Sequence, residues 1–213
     1  MRRIVIGGLV TATVVVAGGA ASAAPERPVR PPRPTEVRVA LPPGQTFPHI
    51  ANGVATGAFV ATYTSSGLGA KEANFAAPAG TPERYIDFPG GTLPPGVTIT
   101  EAQAINALKQ ITENLKVQGL TPKDVISMRA FLANPPGATV ADFAGWNRGY
   151  RQFFANTDLA TGKPVDVPLG TAPPAPPMLV NPARPARVNL EVENLPLPGW
   201  LVEVEVVAAF PRR

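Results

Sequence analysis

The sequence predicts an α+β domain, a mixed sheet with two helices on one of its faces. Three observations lead there. Two amphipathic helical stretches are each opened by capping residues, one at Thr98 and one at Thr139 to Asp142. Strand-like runs precede, separate and follow them. The resulting order of strand, helix, strand, helix, strand, strand leaves one face of the sheet uncovered by this chain. A sheet of that kind buries its open face against other copies, so a closed oligomer is expected.

The elements follow in order. Within Thr56 to Ser66, Ala58-Phe59-Val60-Ala61-Thr62-Tyr63-Thr64 has the β-branched and aromatic content of a half-buried strand. Residues 68–96, rich in Ala, Pro and Gly, read as a long loop. Thr98-x-x-Glu101 and Thr100-x-x-Gln103 are overlapping capping boxes. The helix they open carries Ile105, Leu108, Ile111 and Leu115 on one stripe and stops at Gly119. Thr121-Pro122-Lys123-Asp124 turns into a strand over Val125 to Leu132, with Ile126, Met128, Ala130 and Leu132 on one face. The second helix presents Phe143, Trp146, Tyr150 and Phe153/Phe154 as an aromatic stripe for the core. Asn147 beside it is either a helix–sheet hydrogen-bonding group or a pocket group. Residues 155–184 again lack periodicity and are proline-rich.

The last two strands hold the candidate chemistry. Arg187, Asn189 and Glu191 share one face, while Val188, Leu190 and Val192 share the other. Val202, Val204 and Val206 oppose Glu203 and Glu205 in the same way. They read as an antiparallel pair, one face packed and the other carrying an arginine and acids. Such a face is either a cross-strand charge ladder or a site. In a site, a guanidinium would hold a substrate carboxylate through two parallel hydrogen bonds, and a glutamate would orient a water.

Before the domain, residues 1–23 have the layout of a secretory signal peptide: a basic Met1-Arg2-Arg3, an apolar Ile4 to Ala17 and a small-residue Ala21-Ser22-Ala23. The run is short for a membrane span, so the membrane is a partner only if the leader stays uncleaved as an anchor. An exported protein, periplasmic or secreted, is expected. Residues 24–48, dense in proline and arginine, read as an arm or linker in which Glu36 to Leu41 alternates weakly enough to add an edge strand. Residues 49–213 then form the domain.

Composition excludes several classes. There is no cysteine, which removes disulfides, a lipid anchor, a thiolate nucleophile and Cys-based metal sites. His49 is the one histidine, so multi-histidine metal sites are excluded too, and it reads as a loop or strand-edge residue. The formal charge is +4, yet from Leu41 onward 13 basic and 13 acidic residues balance. A neutral body lacks the clustered basic footprint that nucleic acid needs. The chain has no phosphate loop, nucleophile elbow or dinucleotide fingerprint. Its chemistry must need little equipment, and hydrolysis of an already reactive imine or enamine fits that limit.

Three segments in order carry a resemblance. Pro185-Ala186-Arg187, Leu195-Pro196 and Val202-Glu203-Val204-Glu205 resemble the C-terminal signature of the Rid (RidA-like) family of reactive-intermediate deaminases. Phe143-x-x-Trp146-Asn147-x-x-Tyr150-x-x-Phe153-Phe154 resembles its second helix, and Thr121 to Leu132 the strand after its first. Together they span roughly residues 50–209. The resemblance implies a chorismate mutase-like fold and a homotrimer with clefts between subunits. It also implies hydrolysis of 2-imino or enamino acids to 2-keto acids and ammonia, without a cofactor. Arg187 would then hold the carboxylate of a small metabolite, Asn147 would line the pocket and Glu203 would orient the water. The chain departs from the family at Val188, where serine or threonine is usual. Asn52-Gly53-Val54-Ala55 stands where an aromatic-bearing Gly-Pro-Tyr is common, and the connection from Phe154 to Arg187 is long. These departures leave a non-catalytic trimeric metabolite-binding module of the cell envelope as the alternative.

Overall fold

The computed structural model describes residues 30–211; the leader assigned to 1–23 and the first residues of the arm lie outside them. The arm does contain structure. Strand β1 (Val37–Ala40) pairs antiparallel with β2 (Gly53–Thr56) in a separate two-stranded sheet. The strand expected over 58–64 narrows to β3 (Thr62–Thr64), because the chain turns at Gly57–Val60 and leaves Phe59 exposed. The short β4 (Leu68–Gly69) follows.

Helix α1 (Ile99–Val117) forms where its stripe predicts, with Ile105, Leu108, Ile111 and Leu115 all buried. Thr98 Oγ1 accepts from the Glu101 N–H at 3.1 Å, so half of the first capping box is present. The other half is not, since both acceptor side chains are engaged elsewhere, by α2 and by loops. Glu101 turns to Arg148 and Gly170, and Gln103 to Pro82, Gly199 and Leu201. The helix ends in a Schellman arrangement. Gly119, at φ 71°, donates to the Lys116 carbonyl, and Leu120 donates to that of Leu115.

Strand β5 (Val125–Ala133) and helix α2 (Phe143–Arg151) come next, the latter capped by Asp142, whose Oδ1 accepts from Gly145 N–H at 2.7 Å. Strands β6 (Ala186–Val192) and β7 (Val202–Ala209) complete the chain. The main sheet runs β3-β7-β5-β6, with β4 also on β7. β5 and β6 are parallel, and the other pairs are antiparallel. Met128, Ala130 and Leu132 of β5 and Val202, Val204 and Val206 of β7 form the core against α1 and α2, closed by Trp146, Tyr150 and Phe154. The mixed sheet with two helices on one face is therefore present.

One expectation is corrected. β6 and β7 are not partners, because β5 lies between them. The segment 193–201 joining them is long enough to cross the end of β5, where the Ala133 N–H donates to the Leu201 carbonyl at 3.0 Å. The faces of β6 also differ from the reading of one polar, solvated side. Arg187, Asn189 and Glu191 are level with Met128, Ala130 and Leu132 and so point to the helix side. Val188 and Leu190 point to the open face, 53% and 38% exposed.

Among the described residues no helix is long and apolar enough to cross a membrane. The two long loops are pinned by buried amides instead of apolar stripes. Asn106 brackets the first loop through Lys71 N–H and O and the Tyr85 carbonyl. Asn156 holds the second through the Arg151 and Leu179 carbonyls and the Asn181 N–H.

Candidate functional site

Strand β6 and helix α2 position the centre of the site. Arg187 runs from the strand toward α2, where its Nη2 donates to Asn147 Oδ1 at 2.7 Å. The guanidinium carbon lies 4.1 Å from the Tyr150 ring centre and 5.9 Å from that of Trp146. That cation–π seat is worth on the order of 1 kcal/mol and fixes the plane of the group. Two further polar residues of β6 anchor the same helix. Asn189 Oδ1 accepts from Trp146 Nε1 and Glu191 Oε2 from the Ala141 N–H, both at 2.9 Å. Arg187 Nη1 is buried and has no partner among the described residues. Burial lowers the pKa of the guanidinium from its usual value, and no carboxylate acts on it.

A second guanidinium stands beside the first. Arg151 is four residues beyond Asn147 on α2, is 7% exposed, and leaves Nε and Nη1 without partners. Its guanidinium lies 4.4 Å from the Phe47 ring centre, and burial holds its pKa down to about 10. A third, Arg184, is equally buried but fully used: its nitrogens donate to the carbonyls of Pro48, Pro182 and Thr157. It therefore ties both ends of the second long loop to the segment carrying His49. Tyr150 Oη donates to the His49 carbonyl at 2.9 Å. Burial, then Arg151, Arg187 and Arg184 in turn, push the His49 pKa below its ordinary value, so the imidazole is neutral at pH 7. Three cations thus converge on one histidine and one tyrosine. The acid that acts on the cluster, through Arg184, is Asp158, and its Oδ1 accepts from Ala160 N–H, Thr161 N–H and Thr161 Oγ1.

Glu203 is elsewhere. It is paired with Phe131 across the β5–β7 ladder, on the open face. Arg187 is level with Met128 and on the helix face, so the two backbones are roughly 14 Å apart with side chains pointing oppositely. One chain brings Arg187 and Asn147 together but not Arg187 and Glu203. Of the two acids on β7, Glu205 pairs with Arg129 at 2.9 Å on the open face. Glu203 has no ion-pair partner among the described residues and packs against Gly67, where an added Cβ would stand 1.8 Å from its Oε1. Burial raises the Glu203 pKa.

Sequence reasoning passed over Arg151 and Arg184 and treated the Trp146–Tyr150 stripe as core alone. Two signals were present. Pro182-Ala183-Arg184 repeats Pro185-Ala186-Arg187 in tandem, and the 147/151 spacing sets Arg151 on the helical face of Asn147. Among the described residues no group of three His, Asp or Glu side chains is placed to hold a metal ion.

A family model described as endoribonuclease L-PSP matches residues 91–210. Solved structures similar to the chain include a Rid-family protein of unknown function from Yersinia pestis, 21% identical, covering 82% of this chain and 98% of that one with a TM-score of 0.45. The YjgF product of E. coli is 20% identical over 82% of this chain and 94% of its own, with a TM-score of 0.41. E. coli TdcF with bound serine is 21% identical over 70% and 81%, with a TM-score of 0.40. No curated protein matches the chain.

Proposed function

The chain belongs to the Rid family, whose model is described as endoribonuclease L-PSP, and from that membership we propose that it hydrolyses 2-imino acids to 2-keto acids and ammonia. The observation that carries this reading is the Arg187 guanidinium, seated on Tyr150, steered by Asn147 and left with an unpartnered Nη1 that no carboxylate faces. A substrate carboxylate supplies the missing partner. Asn147 acts through Arg187 as a positioning residue.

The bound imine then needs only a water. Water adds to C2, and a carboxylate takes its proton and returns one to the nitrogen. The C–N bond breaks with its electron pair on nitrogen, so imino acid and water become keto acid and ammonia. Glu203 suits this role, being unpaired and raised in pKa. Because it occupies the opposite face of its own sheet, it reaches an Arg187 site only from another copy of the chain. The homotrimer expected for the family supplies that copy, packed on the open face that exposes Val188 and Leu190. Export through residues 1–23 is part of the same reading.

Subunit mixing tests it. Arg187→Ala and Glu203→Ala are each expected to lack activity alone. Unfolded, mixed in equal amounts and refolded, they should regain about a quarter of wild-type imine hydrolysis, since random assembly pairs an intact arginine with an intact glutamate at one site in four. A mixture as inactive as its components would overturn the shared site.

Glu203 also sets a pH dependence. The carboxylate is the working form and burial favours the protonated one, so activity is lost as pH falls through a pKa above the ordinary ~4.3. The acid limb of kcat/KM is expected above that value, and Glu203→Gln should lower the plateau and abolish the limb. A limb retained in Glu203→Gln would assign it to another group.

A further inference from the structure

We propose that the site is built for a dianion, a 2-imino dicarboxylate whose second carboxylate is received by Arg151. The inference rests on the assignment of Arg187 to the first carboxylate and extends it to the substrate class.

Arg151 is the reason. A guanidinium with two nitrogens buried and unpartnered, as Nε and Nη1 of Arg151 are, is costly, and proteins pair or neutralise such groups. No carboxylate among the described residues does so here. Its ring contact with Phe47 orients the group but satisfies no N–H donor. The neighbouring Arg184 adds repulsion and has its own nitrogens committed to carbonyls. Arg151 and Arg187 each leave buried donors unpaired, Arg187 lies on the Tyr150 ring and Arg151 is the next residue of the helix, and the charge of both reaches the His49 imidazole. One monoanion answers only one of them. A molecule with two carboxylates answers both, and the fork geometry of each guanidinium matches a planar carboxylate. Neutral His49 adds a hydrogen-bonding group without adding a charge that a second anion must balance.

The test is a binding comparison with keto-acid products, which needs no turnover. Calorimetric affinities of the wild-type protein are measured for 2-oxo monocarboxylates and 2-oxo dicarboxylates of equal length, four to six carbons. At least one dicarboxylate is expected to bind ten times or more as tightly as its monocarboxylate partner. In Arg151→Gln that ratio should fall to within about threefold of one, whereas in Arg187→Gln both ligands should weaken together. The melting temperature of ligand-free Arg151→Gln should equal or exceed the wild-type value, because a buried unpaired charge has been removed. A wild-type ratio near one at every length, or a ratio that survives in Arg151→Gln, overturns the proposal. Tighter binding of the matching terminal phosphonate would overturn the choice of carboxylate as the second anion. If monocarboxylates bind through Arg187 with no preference for the second charge, this inference alone fails. If neither class binds, the assignment of Arg187 fails with it.

Discussion

Arg187→Ala is expected to reduce kcat/KM for 2-imino acid hydrolysis by about a hundredfold or more, without destabilising the protein. The loss in rate follows from positioning. In the proposed reaction the guanidinium holds one end of a small substrate in a fixed plane, and a misplaced reacting carbon costs on the order of 10²-fold. Burial makes each charge-assisted bond stronger than it would be in water. The unchanged stability follows from Nη1, which is buried without a partner among the described residues. Removing the side chain gives up one bond to Asn147 and a ring contact, but also removes a poorly satisfied buried charge. Arg187→Lys should retain only a small part of the activity, since an ammonium cannot form two parallel hydrogen bonds or lie flat on Tyr150. Rates from Arg187→Ala within threefold of wild type, with imine generated in situ by a dehydratase, would remove the catalytic proposal.

Glu101→Ala is expected to have the opposite profile, with a large loss of stability. Its carboxylate is fully buried at the start of α1. One oxygen accepts from Arg148 Nε at 2.9 Å and Nη2 at 2.8 Å, and the other from the Gly170 N–H at 2.9 Å. The residue thus clamps α2 and the second long loop to α1. Truncation leaves the part-buried Gly170 N–H unpaired and a partly buried guanidinium without its anion, about 3 kcal/mol in all. Thermal unfolding should show a melting temperature lower by roughly 6–12 °C. Glu101→Gln keeps an acceptor for Gly170 and should recover part of the loss. A fall below about 1 °C in Glu101→Ala would show that the clamp contributes little.

The elements with a strong period were legible in the sequence. The stripe of α1, the aromatic stripe of α2 and the alternation of β7 each formed with the face they predicted. β6 was legible as a strand but not in its pairing, because strand partnership is non-local and β5 inserts from more than fifty residues upstream. Its facing was obscure for a related reason. At the sheet edge, polar side chains turn inward to hydrogen-bond α2 while valine and leucine lie on an open face, so alternation alone points the wrong way. Of the site, Arg187 and Asn147 were recognisable and meet. Arg151 was hidden, because an arginine in a helix's last turn usually reads as a solvated charge favoured by the dipole. The loop anchors were equally hidden. Gln103, Asn106 and Asn156 are single amides whose partners are backbone groups that no side-chain pattern records.

Those amide anchors have a kinetic consequence. The long segments on either side of the cationic cluster are fastened to helix backbone or to its buried side chains, and Arg184 staples one of them to the residue that Tyr150 also holds. Local opening of either segment therefore has to break buried hydrogen bonds, which places both segments away from the fast-exchanging end of amide hydrogen exchange.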